Sequence, residues 1–291
     1  MTAQLLNGQA LSQTIREEIK QQAARLIEQG TRPGLAVIIV GDDPASHVYV
    51  NSKHKACLEL GFYSEVHRLT EQTSQEELLD LVSRLNGQAT IHGILVQLPL
   101  PSHIDEKAVI DAIAVEKDVD GFHPVSVGNM VLGDESLLPC TPAGIMEMMK
   151  RNDIPIAGKH AVVIGRSNIV GKPISLLLQR EHATVTMCHS RTQHIEELSR
   201  MADILVVAIG KAHFVNRSFI KPGAVVIDVG MNRLENGKLV GDVDTDDVKE
   251  LCSWITPVPR GVGPMTITML MSNTLKSAER FHRLGQASVQ V

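Results

Sequence analysis

Lys53 is the residue most out of place in this chain. The segment opened by Pro44-Ala45-Ser46 runs through HVYVNSKHKACLELG to Gly61 with the spacing of a helix. At about 100° per residue, Ser46, Tyr49, Val50, Lys53, Cys57 and Leu60 share a wedge of roughly 100°, with His47, Asn51, His54, Lys55 and Glu59 on the polar remainder. Lys53 therefore stands on the apolar face, one turn from Tyr49. Burial penalises a charged amine, so such a lysine can exchange protons near neutral pH. The competing reading is an amine that snorkels to water at the helix edge, with Tyr49 as plain core. Two other segments are suited to meet this helix. Val96-Gln97-Leu98 ends an apolar run in a polar amide, which either orients a ligand or caps a strand. Lys117-Asp118-Val119-Asp120-Gly121 sets two acids beside a glycine, which offers Asp120 to a ligand or makes an Asx-turn.

A second constellation lies at residues 161–192, AVVIGRSNIVGKPISLLLQREHATVTMCHSRT, in the order strand, glycine turn, helix, strand. Gly165-Arg166-Ser167-Asn168-Ile169-Val170-Gly171 lacks the middle glycine of a dinucleotide motif, yet Gly165 permits a tight turn and Gly171 a close approach at the helix start. Free amides and the helix dipole then face an anion, with Arg166 and Ser167 able to add side-chain contacts. Taken alone, the turn is more readily a structural connection without a ligand. The end of the second strand weighs against that. Where an adenosine ribose would lie, no Asp or Glu stands ready for a free 2′-hydroxyl; the residues are Cys188-His189-Ser190-Arg191-Thr192, which suit a 2′-phosphate. The expected cofactor is NADP. Ala208-Ile209-Gly210 and Asp228-Val229-Gly230 end two further strands at the same expected sheet edge, adding Ala208, Gly210, Asp228 and Gly230 as cofactor-contact candidates.

The elements that must hold these groups alternate. Strands are expected at 35–40, 64–69, 93–97, 161–164, 184–188, 204–208 and 224–229, and helices at 75–86, 106–113, 142–151, 173–180 and 195–201. Such alternation specifies α/β layers, parallel sheets covered by helices on both faces. The stretch 121–142, rich in Gly, Pro and Ser, breaks the pattern and is read as a domain junction. This gives a first domain at 1–121, a Rossmann-like NADP-binding domain at 122–272, and a C-terminal helix at about 273–291 that packs back on the first. A type I′ turn is expected at 235–238.

Composition narrows the function classes. A chain of 291 residues has room for two cores, and 43% hydrophobic with 21% charged residues is ordinary for a globular protein. A net charge of −5 argues against a nucleic-acid binder. No apolar run nears the roughly 20 residues of a membrane span, and the amino terminus reads as an amphipathic helix rather than a signal peptide. The four cysteines form no C-x-x-C pair for zinc, so a reduced cytoplasmic protein without a metal is expected.

Six segments, in order along nearly the whole chain, resemble one family. They are Tyr49-x-x-x-Lys53, 96–99 (VQLP), 118–122 (DVDGF), 139–142 (PCTP), the 165–173 loop and 259–266 (PRGVGPMT). They are similar to the signatures of the FolD-type bifunctional methylenetetrahydrofolate dehydrogenase/cyclohydrolases. The resemblance implies a cleft between a folate-binding and an NADP-binding domain, tetrahydrofolate derivatives as substrates, and a homodimer. It implies that Lys53 is the central catalytic residue, that Tyr49 packs on the folate, and that Gln97 and Asp120 support the lysine and bind the pterin. Val96, Leu98 and Pro264 join the implied substrate contacts. Val170, Ser190 and Arg191 join the implied cofactor contacts with the 165–171 loop. One position departs from the family pattern: Arg260 stands where a glycine is usual, and strain is expected if φ there is positive. Two other readings compete. One is an NADP dehydrogenase of the shikimate type, without the hydrolytic step; the other is a non-catalytic NADP-binding regulator, which would not need Lys53, Gln97 and Asp120 together.

Overall fold

The computed structural model describes residues 2–289. In chain order its elements are β1 (Gln4–Leu5), α1 (Gly8–Glu28), β2 (Gly34–Val40), α2 (Pro44–Glu59), β3 (Tyr63–Leu69), α3 (Gln75–Gly87), β4 (Gly93–Val96) and α4 (Glu106–Ala112). There follow α5 (Pro124–Leu132), α6 (Cys140–Lys150), β5 (His160–Ile164), α7 (Gly171–Arg180), β6 (Thr184–Cys188), α8 (Ile195–Ser199) and β7 (Ile204–Val207). The last are β8 (Val225–Asp228), β9 (Asn232–Arg233), β10 (Leu239–Val240), α9 (Thr245–Val248), β11 (Trp254–Ile255) and α10 (Val262–Val289).

The chain divides into two compact units: Thr14–Cys140 with Ile267–Val291, and Met1–Gln13 with Thr141–Thr266. The first holds a three-stranded parallel sheet in the order β3-β2-β4. All seven residues of β2 are buried, as befits a strand covered on both faces. Ile38, Leu78, Leu85, Ile94 and Val96 belong to the core on one of them. The boundaries expected at 121 and 272 differ from this division. The 121–140 stretch stays with the first unit because Asp118 accepts the amides of Phe122 and His123 and the Ser126 hydroxyl at 2.9–3.2 Å. Asn273 on α10 also holds the carbonyls of Val119 and Leu138, each at 2.9 Å.

The second unit is a six-stranded sheet in the order β1-β11-β8-β7-β5-β6, parallel throughout. Val162, Ile164, Leu205, Val207 and Val226 are among its core residues. Strand order runs outward from β5 in both directions, so a topological switch point lies between β5 and β7. In the first unit the order reverses likewise between β2 and β4.

Four features differ from the sequence reading. Residues 124–132 form α5 inside the expected junction, with His123 accepting the Val125 amide at its start and Gly133 at φ 86° closing it. The two-residue strands β1 and β11 extend the second sheet. The amphipathic amino-terminal helix starts only at Gly8. The turn at 234–238 has Gly237 alone at positive φ (80°), with the Gly237 amide on the Leu234 carbonyl, so it is not type I′, which needs two such residues.

Candidate functional site

Asp43 caps α2 by accepting the Ser46 amide at 2.8 Å, and Pro44 sits at the first helical turn, where its missing N–H costs nothing. This start fixes the helix rotation. Ser46, Val50, Lys53, Cys57 and Leu60 are buried as the wedge requires, Ala56 joins them, and Tyr49 is half-buried. Lys53 is 8% exposed, so its amine does not snorkel to water.

The amine donates to Gln97 Oε1 at 2.9 Å. Gln97 follows β4 directly; its amide nitrogen donates to the Ile38 carbonyl and its side-chain nitrogen to the Leu98 carbonyl at 2.7 Å. Lys53 thus lies on the helix that follows β2, and Gln97 lies directly after β4, the two strands that flank the switch point of this sheet. Asp120 arrives from the segment beside β4, where Asp118 bridges Ile94 in parallel register. Burial outweighs the attraction between lysine and acid on both sides. It lowers the Lys53 pKa, with Asp120 and Cys140 pulling the other way. It pushes the Asp120 carboxyl up to about 6, with Lys53 opposing. Each group therefore leans toward its neutral form, the condition for passing protons rather than for holding a permanent ion pair. Burial likewise raises the Tyr49 phenol, which stays protonated.

The structure brings Tyr49, Lys53, Val96, Gln97, Leu98 and Asp120 into one unit. Val96 is buried, and Leu98 is half-buried on the turn after β4. Pro264 stands in the first turn of α10, in the other unit. Sequence reasoning passed over Cys140, whose thiol reaches the Asp120 carboxyl and the Val119 carbonyl at 3.3 Å. It also passed over Asn273, which holds Val119 and the Cys140 sulfur at 3.7 Å. The PCTP segment carried the cysteine; nothing local marks an asparagine on an apolar helix. Asp118 proves to be a turn clamp, the Asx reading of that acid pair. A groove of about 1540 Å³ in this unit, lined by Arg32, Tyr63, His92, Lys117 and Phe281 among others, includes none of the site residues.

In the second unit the strands end in register, Ile164 with Cys188 and Val207, and Val207 with Asp228. Gly165, the 189–192 turn, Ala208–Gly210 and Gly230 therefore follow strands ending level along one edge. Gly165 has φ 130°, and a Cβ there would lie 2.3 Å from the Ala208 carbonyl oxygen, right at the switch point. A Cβ on Gly171 would lie 2.3 Å from the Gly165 carbonyl oxygen. Ser167 Oγ accepts the amides of Val170 and Gly171 at 3.1 and 3.2 Å, so this hydroxyl shapes the loop, and Arg166 is exposed. After β6, His189 and Thr192 close a turn, with His189 N–H on Thr192 Oγ1 and Thr192 N–H on the His189 carbonyl, each at 2.8 Å. Ser190 and Arg191 stand exposed at its tip, with no acid beside them. Asp228 does not face outward. Its carboxylate accepts the amides of Gly230, Asp242 and Val243 at 2.9–3.0 Å. Arg260 takes a left-handed φ of 84°, a strain on the order of 1 kcal/mol for a residue with a Cβ.

A family model described as "Tetrahydrofolate dehydrogenase/cyclohydrolase, catalytic domain" matches residues 6–120, and one described as "Tetrahydrofolate dehydrogenase/cyclohydrolase, NAD(P)-binding domain" matches 139–282. This chain belongs to the tetrahydrofolate dehydrogenase/cyclohydrolase family. It is 61% identical to the "Bifunctional protein FolD" of Brevibacillus brevis over 280 residues, 96% of this chain and 99% of that protein. The crystal structure of the bifunctional FolD of Campylobacter jejuni superposes with a TM-score of 0.94 at 50% identity, covering 96% of this chain and 99% of that one. The FolD of Trypanosoma brucei, solved with NADP cofactor and an inhibitor, gives a TM-score of 0.93 at 40% identity, covering 96% and 98%. In this family the two units separate the chemistry, catalytic groups in one and nucleotide in the other.

Proposed function

We propose that the chain performs two successive reactions on one folate: NADP+-dependent oxidation of 5,10-methylenetetrahydrofolate to 5,10-methenyltetrahydrofolate, then hydrolysis of that cation to 10-formyltetrahydrofolate. The observation that carries this reading is the buried Lys53 amine, 2.9 Å from Gln97 and electrostatically coupled to Asp120, in a chain matched by both family models.

The cradle at Gly165 and Gly171, too tight for any side chain, fits the close approach of a phosphate to backbone. Gly165, Arg166, Ser167, Val170 and Gly171 would hold the pyrophosphate. Ser190 and Arg191 would meet the 2′-phosphate, with Ala208, Gly210 and Gly230 along the same edge. NADP+ supplies the hydride acceptor when bound. Everything else falls to side chains. Tyr49 packs on the folate, and Asp120 accepts hydrogen bonds from the amino-pyrimidine edge. In hydrolysis, water adds to the methenyl carbon as the neutral Lys53 amine takes its proton. The carbon–N5 bond then breaks as the adduct's hydroxyl gives up its proton to become the formyl C=O; N5 takes the proton held by Lys53, one proton passes to solvent, and the formyl group remains on N10. The cationic methenyl group itself favours a neutral amine beside it. Gln97 Oε1 fixes the amine's direction.

Lys53→Met is expected to abolish hydrolysis of methenyltetrahydrofolate while NADP binding and the fold persist. Hydrolysis at the parental rate in the purified variant would remove Lys53 from this role. The shikimate-type alternative is set aside by the match to both family models, and the same hydrolysis assay separates it. The homodimer rests on the family resemblance and the cytoplasmic location on the isolated cysteines, and light scattering of the purified protein tests the first. Among the described residues, no helix is long and apolar enough to cross a membrane.

A further inference from the structure

Asp242 is wholly buried, yet no basic side chain among the described residues pairs with it. Its carboxylate is instead surrounded by N–H donors. Oδ2 accepts the amides of Ile209 at 2.7 Å and Gly210 at 3.0 Å; Oδ1 accepts the Lys211 amide at 2.8 Å and Asn232 Nδ2 at 2.9 Å. Three successive amides turned into one carboxylate is the arrangement of an anion-binding nest, here filled from within. Glycine makes the approach possible, since a Cβ on Gly230 would lie 2.3 Å from Asp242 Cγ. Beneath it, the Asp242 amide donates to Asp228 Oδ1 at 2.9 Å, and the Gly230 and Val243 amides to the same carboxylate. Two stacked carboxylates thus set the loop that follows β7, at the switch point of the sheet.

Turning the amides inward has a consequence for the other side of the peptide planes. Among the described residues the carbonyls of Ile209 and Gly210 accept no hydrogen bond. Gly210, at φ 64°, is exposed. A loop whose donors are all occupied presents acceptors, and acceptors suit the amide and hydroxyl donors of a nucleotide cofactor rather than its phosphates.

We propose that Asp242 is a positioning residue for the cofactor: by holding the Ile209, Gly210 and Lys211 amides, it fixes the loop after β7 with its carbonyls free for donors of the bound nucleotide. This rests on reading the second unit as the NADP-binding one. The test is Asp242→Asn in the full chain, which keeps the volume but points an amide donor at amide donors. We expect the KM for NADP+ to rise about ten-fold, the worth of one buried mismatched hydrogen bond, with kcat at saturation nearly unchanged. Methenyltetrahydrofolate hydrolysis, which uses no nucleotide, should stay within about two-fold of the parent. An unchanged KM for NADP+ in the folded variant overturns the proposal, and so does a parallel fall of both activities with the melting midpoint, which marks a purely structural role. Should the variant not fold, amide exchange in the parent decides: the Ile209–Lys211 amides should exchange about ten-fold more slowly at saturating NADP+, and no change overturns the inference. Failure of the underlying reading looks different, because the parent itself would then show no saturable dependence on NADP+.

Discussion

Two lysines are buried among the described residues, and their surroundings separate a working amine from a structural one. Lys117 is 4% exposed, but its three donors are all taken by the carbonyls of Leu85, Asn86 and Gln88 at 2.8–3.2 Å. Lys53 has one hydrogen-bond acceptor among the described residues, Gln97, and a half-buried acid, Asp120, coupled to it. An amine with unused donors and a lowered pKa can take part in proton transfer; a saturated one cannot. The coupling predicts a pH effect with a definite sign. If neutral Lys53 is the base, hydrolysis rises as pH climbs through its pKa, and the Asp120 carboxylate raises that pKa. Asp120→Asn removes the raising charge, so the acid limb of the kcat profile should move to lower pH, while KM rises from the lost folate contact. A limb that stays put or moves upward in the kcat–pH profile would refute the coupling. Lys53 was legible because one helix period exposes a charge on an apolar face. Lys117 was not, since a single turn of 3₁₀ helix (Val115–Lys117) has no period to violate.

At the scale of elements, legibility followed burial. Strands β2, β5, β7 and β8 are continuous apolar runs buried on both faces, and their sequence limits fall within a residue of the structural ones. β1 and β11 are two residues each and exist only by pairing with a neighbour, which no local pattern encodes. Helix α5 hid among Gly and Pro because its ends are made by those same residue types, Pro124 at the start and Gly133 after the end. Lys117 shows what such long-range closure is worth. Its amine caps the last carbonyls of α3, the orphan acceptors every helix end leaves. Lys117→Met should cost about 2 kcal/mol, as carbonyls lose buried donors, with kcat within about two-fold of the parent. Urea unfolding monitored by circular dichroism, alongside steady-state kinetics, checks both halves. A fall in kcat without a loss of stability would mean that Lys117 serves the chemistry.

Across the whole molecule, the chain crosses between its two units inside helices, at Gln13–Thr14 in α1, at Cys140–Thr141 in the first turn of α6 and at Thr266–Ile267 in α10. Each unit is therefore assembled from distant stretches of sequence, so the compact units divide the chain elsewhere than at 121 and 272. What survived that displacement is the repeated logic of the site. In each unit the sheet reverses its strand order, and the chemistry-bearing residues follow the strands flanking that point: Lys53 and Gln97 in one, Gly165 and Ala208 in the other. A ligand of the second unit should then stabilise the protein through contacts made only when folded. At about 100 times its dissociation constant, NADP+ should add about 2.7 kcal/mol, a melting shift of several degrees. NAD+ at the same concentration should shift it less, since it lacks the phosphate that Ser190 and Arg191, exposed on a turn without an acid, are placed to meet. The comparison is a thermal melt with each nucleotide in turn. Equal shifts would leave the 189–192 turn without a role in choosing the cofactor. A larger shift with NADP+ that vanished in Arg191→Ala would fix the discrimination on the tip of that turn.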